Sequence, residues 1–328
     1  MATFSKINFK TLNYNSFRPH YPTSFYKILT EYATKGDLSK LPLEKSIDLG
    51  CGTGVATYPL LNTSKEVFGL DLSLSMIKTA DSLIESRCKE LGIEDLSRIK
   101  FRAGAVEDFL YTEDKSTREI EDGSVDLITA AQCIHWFKDY DAFFKNSHQL
   151  LKKGGTLSYF FYIDPVIVDF RVENGTSLSK EEKIKILRRS KQLYYDFVYN
   201  DPASWGPHWE NPGRNILKDY CQEVNQSIPT DLYEDIKINT FLPDFETGNT
   251  LPDDSKELDL KKMDIPLNGF VNYLTTYSAY HSFKEATGDP NNSLEVFVKK
   301  LESEFGWDRN STKVDLVWNT GYTFLTKK

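Results

Sequence analysis

The sequence predicts a doubly wound α/β fold with a mostly parallel sheet. Short apolar runs alternate with stretches of helical periodicity over residues 41–165, and such alternation places parallel strands side by side. Three glycines, Gly50, Gly52 and Gly54, follow the first apolar run and let the chain turn sharply beside a ligand. A second short strand ends on Asp71, where doubly wound folds keep a carboxylate for a ribose.

The elements of this region follow from their local patterns. A proline opens the first helix, and apolar residues at helical spacing mark the second as amphipathic. The fourth apolar run contains few polar residues, as is typical of a parallel strand covered on both faces. We therefore expect helices at 22–35, 73–91 and 140–151, and strands at 47–49, 67–70, 99–105, 125–131 and 156–163.

The alternation stops at Asp164 and Pro165, which are expected to end the fifth strand. Beyond them we predict an acidic surface loop at 243–260, helices at 179–199, 267–285 and 293–305, and strands at 236–241 and 314–325. We expect one structural domain. Its parts are an N-terminal lid and helix (1–40), a ligand-binding core (41–165), and an inserted helical and loop cap that also completes the sheet (166–328).

Composition and charge exclude several classes of partner. A net charge of −8 argues against nucleic acid and anionic membrane surfaces, both of which attract basic proteins. No apolar run approaches the ~18 residues of a membrane span, and the N-terminus lacks the apolar segment of a signal peptide. The cysteines show no zinc-type spacing, which favours reduced thiols. We expect a cytoplasmic monomer without a metal ion that acts on a small molecule.

The glycine spacing indicates which nucleoside cofactor is bound. A dinucleotide fingerprint reads GxGxxG, whereas residues 48–54 read D-x-G-x-G-x-G, with an acid two residues before the first glycine. Asp48 suits the cationic sulfonium and α-amino group of S-adenosylmethionine, directly or through water, better than it suits a pyrophosphate. The expected cofactor contacts are Asp48, Gly50, Gly52, Gly54, Asp71, Leu72, Ala105, Val106, Glu107, Gln132 and, from the lid, Tyr14.

Several segments together resemble one group of enzymes. The segment IDLGCGTG (47–54) resembles motif I of the class I S-adenosylmethionine-dependent methyltransferases. Further segments resemble the fungal trans-aconitate methyltransferases and their relatives, among them a yeast methyltransferase linked to cantharidin resistance. These segments are YNSFRPHYP (14–22), ITAAQCIHWF (128–137), FYIDP (161–165), GPHWENPGR (206–214), TYSAYHSF (276–283) and VWNTGY (317–322). The likeness spans nearly the whole chain and implies a seven-stranded, Rossmann-like sheet.

The resemblance implies that a carboxylate of a small polycarboxylic acid is methylated, giving a methyl ester and S-adenosylhomocysteine. A carboxylate is already ionised at neutral pH, so the enzyme must supply placement, exclusion of water and cations for the other carboxylates, but no general base. Arginine binds carboxylate bidentately, which makes Arg18 and Arg214 the candidate substrate clamp. His135 follows the fourth strand and is expected to donate a hydrogen bond to the substrate.

Aromatic residues near these positions are candidates either for the substrate wall or for the core. Tyr277, Tyr280 and His281 lie at helical spacing and therefore share one face. Such stripes belong to a core more often than to a pocket. The candidate wall residues are Tyr21, Trp136, Trp205, Trp209, Tyr277, Tyr280 and His281.

Two other functions stay open at this point. A class I methyltransferase acting on a hydroxyl or carbon acid, such as a lipid, a quinone, a polyketide or a cantharidin-like molecule, would need His135 as a base. A non-catalytic, cofactor-binding regulatory protein would keep the glycine loop without turnover. The glycine spacing disfavours a dehydrogenase.

Overall fold

The computed structural model describes residues 17–106, 120–173 and 178–328. Two predicted cofactor contacts, Tyr14 and Glu107, lie outside these described residues. Within them the strands are β1 Leu43–Leu49, β2 Ser64–Asp71, β3 Ile99–Ala103, β4 Val125–Ala131, β5 Leu151–Arg171, β6 Tyr233–Phe241, β7 Lys261–Pro266 and β8 Lys313–Lys327.

These strands form one sheet in the order β3-β2-β1-β4-β5-β8-β6, with β7 paired to a separate part of β8. Strands β1 to β5 are parallel to one another, whereas β8 is antiparallel to β5, β6 and β7. The α/β fold and the mostly parallel sheet are thereby confirmed. The continuous order holds the seven expected strands, and the short β7 is an addition.

The helices are placed by their caps and apolar faces. They are α1 Thr23–Thr34, α2 Leu74–Glu90, α3 Tyr140–Leu150, α4 Lys180–Tyr195, α5 Gly213–Lys218, α6 Gln222–Gln226, α7 Leu267–Leu274, α8 Ser278–Thr287 and α9 Ser293–Phe305. The Ser73 hydroxyl accepts the Met76 N–H and so caps α2. Ser179 and Glu182 form a reciprocal capping box at the start of α4.

Both faces of the sheet are covered by apolar side chains. Along β5, Tyr159 and Phe161 belong to one buried cluster, while Phe160 and Tyr162 belong to the other. Successive side chains of a strand point to opposite faces, so the alternation shows a core on each side. None of the helices in the described parts of the chain is long and apolar enough to cross a bilayer.

The fifth strand is longer than its sequence pattern predicted. It continues through Pro165 because β8 pairs with it along most of its length. Pairing joins Tyr162 to Thr320 and Pro165 to Trp318, so β5 holds one residue more than β8 over this stretch. Such a bulge redirects nearby side chains, and Asp164 lies within it. The prediction that Asp164 and Pro165 end the strand is therefore wrong.

The late helices differ from the prediction in one place. The predicted helix 267–285 is two helices, α7 and α8, which are separated at residues 275–277. The hydroxyls of Thr275 and Thr276 donate to the carbonyls of Asn272 and Tyr273, and such bonds compete with continuation of a helix. The predicted helix at 293–305 and the strands at 236–241 and 314–325 are confirmed.

A glycine on β8 leaves room for a buried ring of β5 where the two strands pair. Gly321 lies opposite Phe161, and a Cβ added to Gly321 would lie 2.5 Å from the Phe161 ring. We predict that Gly321→Ala lowers the free energy of unfolding by about 1–3 kcal/mol, because the buried ring must leave its position. Urea denaturation measures the change.

Gly104→Ala is the matched control for that measurement. A Cβ added at Gly104 would meet only Leu70 at 3.7 Å, which is an ordinary contact. We expect its free energy of unfolding to stay within about 0.5 kcal/mol of the wild type. Equal losses in the two variants would contradict the role assigned to the Phe161 ring.

Candidate active site

The three glycines after β1 form a loop that is tightly packed on one side and open on the other. All three have positive φ values, of 64° at Gly50, 56° at Gly52 and 84° at Gly54. A Cβ would lie 2.6 Å from Cys133 at Gly50 and 2.6 Å from the Tyr58 ring at Gly54, whereas at Gly52 it would meet nothing within 4 Å. The loop therefore has room for a ligand above Gly52.

Asp71 closes this loop from the end of β2. Its carboxylate accepts the backbone N–H of Gly52 at 2.9 Å and that of Ser73 at 2.7 Å. Burial raises the pKa of Asp71, while the two N–H donors oppose the shift. One carboxylate thus ties the glycine loop to the start of α2, beside the open space above Gly52.

Asp48 lies fully buried beneath the same loop. One carboxylate oxygen accepts the Thr57 hydroxyl at 2.6 Å, and the other accepts the Thr129 hydroxyl at 2.7 Å. Burial raises the pKa of Asp48 to about 6. Both oxygens are engaged with the protein, so Asp48 acts on this site by holding β1, β4 and the segment after the loop together.

The chain after β4 brings two predicted residues to the same edge of the sheet. Gln132, at a φ of 58°, donates its side-chain amide to Tyr162 O and accepts the Tyr162 N–H, both at 2.8 Å. His135 is buried, and its Nδ1 has no hydrogen-bond partner among the described residues. Burial, reinforced by the Arg214 guanidinium, lowers the pKa of His135 to about 3, so the imidazole is neutral.

These residues line a cavity of about 90 Å³. Its walls come from the N-terminal segment, the chain after β4, the middle of β5, and the cap that follows β5. The lining residues are Arg18, Gln132, His135, Trp136, Ile163, Trp209, Arg214, Leu217, Tyr277 and Ser278. The structure therefore brings together the two arginines of the candidate clamp, Arg18 and Arg214, and His135, although they lie far apart in the sequence.

Arg214 is held at the cavity by one ion pair and two aromatic rings. Its Nη2 donates to Asp164 Oδ1 at 2.8 Å, and both side chains are buried. The guanidinium lies 4.1 Å from the Trp209 ring centre and 5.2 Å from that of Tyr199. Its Nε is also buried, with no partner among the described residues. The group is thus fixed on one side and keeps a donor for a ligand.

Arg18 reaches the cavity from the N-terminal segment. Its Nη2 donates to Thr276 O at 2.9 Å, between α7 and α8. The guanidinium lies within 5.5–5.8 Å of the ring centres of Tyr162, Tyr273 and Tyr277. Backbone and π faces therefore position this cation.

Trp136 and Trp209 form aromatic walls of the cavity. The Trp136 ring lies 4.9 Å from the His135 ring, and a Cβ at Gly213 would lie 2.5 Å from Trp136. Gly213 therefore allows α5 to approach Trp136 closely, which places Arg214, the next residue, beside His135.

Other predicted site residues lie elsewhere. Trp205 is fully buried in the core and donates its Nε1–H to Ser293 at 3.0 Å, so it is not a cavity wall. Tyr280 packs against Trp205, and neither Tyr280 nor His281 lines this cavity. Tyr21 instead lines a second cavity, of about 140 Å³, beside Gly54.

The remaining predicted cofactor contacts flank the glycine loop. Leu72, directly after β2, is exposed, and Val106, beyond β3, is buried. Ala105 is half-buried. Their positions at the carboxyl ends of β2 and β3 put them at the same sheet edge as Asp71.

Sequence reasoning missed the residues that hold the charged groups. Asp164 accepts hydrogen bonds from Arg214, Tyr194 and Tyr199, all on Oδ1. A single acid inside the apolar run FFYIDPVIV was the signal that could have revealed it, because an unpaired buried carboxylate is costly. Thr57 and Thr129, which hold Asp48, gave no comparable signal.

This arrangement has the groups needed to hold an anion next to a nucleoside cofactor. The open glycine loop and Asp71 lie at the ends of β1 and β2, and Gly50 packs directly on Cys133. Gln132 and His135, on either side of Cys133, line the cavity that contains both guanidiniums. The two sites are therefore adjacent, as a transfer between two bound molecules requires.

Comparisons with known proteins agree with this description. Residues 47–159 match the family model described as "Methyltransferase domain". The chain is 25% identical over 327 residues to the "Probable S-adenosylmethionine-dependent methyltransferase CRG1" of Saccharomyces cerevisiae, covering 100% of this chain and 99% of that protein. It is 26% identical to a "Putative methyltransferase" of Dictyostelium discoideum, covering 96% of this chain and 92% of the other.

A solved structure shares the fold. It is described as a putative type II methyltransferase from Anaeromyxobacter dehalogenans, with a TM-score of 0.57 and 17% identity, covering 94% of this chain and 97% of that one. The chain therefore contains a methyltransferase domain at residues 47–159 within the Rossmann-like fold of the class I S-adenosylmethionine-dependent methyltransferases, and both of these relatives, which match it over nearly their whole length, are described as methyltransferases.

Proposed function

We propose that the methyl acceptor is a carboxylate of a small polycarboxylic acid, of the trans-aconitate type, and that the product is a methyl ester. One observation carries the proposal. The guanidiniums of Arg18 and Arg214 converge with the imidazole of His135 on one small cavity beside the glycine loop, and Nδ1 of that imidazole has no hydrogen-bond partner among the described residues. Guanidiniums in an enclosed site bind carboxylates well, because the fork geometry matches and water is excluded.

The residues around the glycine loop fit S-adenosylmethionine. The space above Gly52, the positive φ values and the half-buried carboxylate of Asp71 match a nucleoside whose ribose hydroxyls donate to an acid. In this proposal Asp71 holds the ribose, while Leu72 and Val106 flank the adenine. When bound, the cofactor supplies an electrophilic methyl group on a sulfonium.

A carboxylate acceptor suits the neutral state of His135. A hydroxyl must lose its proton during transfer, and an efficient base has a pKa near the working pH. The pKa of His135, at about 3, is far below that range. A carboxylate has already lost its proton, so His135 need only donate a hydrogen bond to it.

The walls of the cavity support the same chemistry. Trp136, Trp209 and Tyr277 line the cavity beside the two guanidiniums, and apolar walls strengthen the attraction of a cation for an anion. In this proposal Arg18 and Arg214 hold the carboxylates that do not react. The remaining carboxylate is then directed towards the glycine loop. Incubation with labelled S-adenosylmethionine and a panel of di- and tricarboxylates, hydroxyl compounds and carbon acids tests the proposal.

Cofactor affinity should depend on Asp71. Asp71→Ala removes the acceptor for the ribose hydroxyls and for the Gly52 and Ser73 N–H groups. We predict that calorimetry will show S-adenosylhomocysteine binding weakened by about 2–4 kcal/mol, as expected for charge-assisted bonds in a buried site.

Asp95→Ala is a matched control. Asp95 also accepts the N–H of the residue two positions on, Ser97, but it lies exposed before β3, away from the glycine loop. Its replacement should leave cofactor affinity unchanged. Wild-type affinity in Asp71→Ala would remove Asp71 from the cofactor site.

The pH dependence of kcat should separate a carboxylate from a hydroxyl acceptor. With a carboxylate, kcat should be nearly constant between about pH 6 and 8, because the acceptor is ionised and His135 stays neutral throughout. His135→Gln, which keeps a side-chain donor, should retain the flat profile with reduced activity. A kcat that rises with pH in the wild type but not in His135→Gln would instead favour a hydroxyl acceptor, with His135 as the base.

Substrate affinity should depend on the two arginines. Arg18→Ala and Arg214→Ala should each lower kcat/KM for the best polycarboxylate by roughly ten- to a few-hundred-fold, because a desolvated guanidinium–carboxylate pair is lost. Arg214→Lys keeps the charge but loses the fork, and it should also impair turnover. Binding of S-adenosylhomocysteine should stay near the wild-type value.

Arg188→Ala controls for a general loss of positive charge. Arg188 forms a two-point pair with Glu246, with both side chains exposed and away from the cavity. Its replacement should leave kcat/KM unchanged. If Arg18→Ala and Arg214→Ala behave like Arg188→Ala, the two arginines do not hold the substrate.

A further inference from the structure

We propose that Tyr194 and Tyr199 are positioning residues for substrate binding, brought onto one carboxylate by a π-helical turn. Both hydroxyls hold Asp164, and Asp164 holds the Arg214 guanidinium at the cavity. The inference rests on the proposed function, because it concerns an arginine that is proposed to bind the acid. It assigns a part in the reaction to two tyrosines that do not themselves line the cavity.

The helix α4 is followed directly by a π-helical turn at Asp196–Asn200. Its closing hydrogen bond, of 2.8 Å, runs back five residues, where an α-helix would bond four residues back. Residues five apart in an α-helix diverge by about 140° around its axis, and the wider turn reduces this angle. Tyr194 and Tyr199 are five residues apart, and their hydroxyls donate to Asp164 Oδ1 at 2.8 and 2.6 Å. The turn thus brings both hydroxyls to one oxygen.

The hydroxyl of Tyr194 also joins Asp164 to the cavity wall. A tyrosine has one proton to donate, and Tyr194 donates it to the carboxylate. The 2.7 Å contact between the hydroxyls of Tyr194 and Tyr277 must therefore use the proton of Tyr277. Tyr277 lines the cavity, so one of its walls is tied to the carboxylate that holds Arg214.

The same turn supports the ring on which Arg214 lies. The Val198 carbonyl, inside the turn, accepts the Trp209 Nε1–H at 2.9 Å. The rings of Tyr199 and Trp209 stack, with their centres 5.4 Å apart and their planes at 18°. The Arg214 guanidinium lies 4.1 Å from the centre of the Trp209 ring. The turn therefore positions this guanidinium both through Asp164 and through Trp209.

Such support matters because the contact between Asp164 and Arg214 joins one N–H to one oxygen. A contact at one point leaves a guanidinium free to rotate about it, whereas two-point binding of a carboxylate needs a fixed plane. Held by the turn, the guanidinium meets the acid in one orientation and loses less freedom on binding. Loss of a tyrosine hydroxyl should therefore weaken binding of the acid and leave the chemical step intact.

Removal of each hydroxyl tests the inference. We expect Tyr194→Phe and Tyr199→Phe each to raise KM for the best polycarboxylate about three- to tenfold, because a hydrogen bond to a buried carboxylate is lost. The value of kcat should stay within about twofold of the wild type. The reason is that Arg214 is proposed to hold a carboxylate that does not react, so it acts equally before and during methyl transfer.

A double-variant comparison separates positioning from a general structural effect. Arg214→Gln keeps a donor for Asp164 but has no guanidinium to orient. In this background, neither tyrosine change should raise KM further by more than about twofold. Rises in KM that persist undiminished with Arg214→Gln would overturn the proposal.

Tyr233→Phe is the matched control. Tyr233 is also a buried tyrosine, and its hydroxyl donates to the Phe144 carbonyl at 2.7 Å, but it does not line the cavity. Its KM should equal the wild-type value even if its Tm falls as far as that of the tested variants. A rise in KM as large as that of Tyr194→Phe would contradict the proposal.

The half-buried Tyr199 decides the matter if Tyr194→Phe does not fold. Wild-type KM in Tyr199→Phe would then overturn the inference. If Arg214→Gln raises KM while the tyrosine variants do not, the proposed function stands and only this inference fails. If the wild type methylates no polycarboxylate, the proposed function fails and the inference fails with it.

Discussion

A buried carboxylate beneath the glycine loop is the interaction on which the rest of the site depends. Asp48 accepts hydroxyls from Thr57, after the loop, and from Thr129, its neighbour on β4. Burial raises its pKa to about 6, so the two donors are needed to hold it as an anion near neutral pH. The loop that faces the cofactor is thereby joined to β4, the strand that Gln132 follows. The cofactor site and the acceptor site are consequently held in a fixed position relative to each other.

The groups described beside the two guanidiniums differ, and the carboxylate beside Arg214 affects the electrostatics of the cavity. Arg18 is positioned by the Thr276 carbonyl and by tyrosine π faces. Arg214 is positioned by Trp209 and by the carboxylate of Asp164. A carbonyl or a ring stabilises a cation without cancelling its charge, whereas a carboxylate does cancel it at a distance. In the proposed reaction the carboxylate of Asp164 would therefore weaken the attraction of Arg214 for a distant acid, and Arg214 would act mainly on contact.

The sequence was informative where short-range patterns decide the structure. Glycine spacing, strand-length apolar runs and helix caps were enough to predict the order of the elements and the loop beside Asp71. These local patterns failed where contacts between distant segments of the chain decide the structure. The extension of β5 past Pro165 comes from pairing with β8, and the core position of Trp205 comes from packing beside Ser293. Asp164 was missed for the same reason, because its partners lie 30 to 50 residues away.

The convergence of Arg18, His135 and Arg214 illustrates how a cap can assemble a site from distant residues. His135 follows a strand of the parallel core, Arg18 precedes α1, and Arg214 lies in the first turn of α5, beyond the long β5. Gly213 lets α5 approach Trp136, and Thr276 holds Arg18 at the break between α7 and α8. The break between α7 and α8 thus leaves the Thr276 carbonyl available to accept a hydrogen bond from the Arg18 guanidinium. In a protein with a net charge of −8, such local cations must be preassembled, because long-range steering would repel the proposed acid.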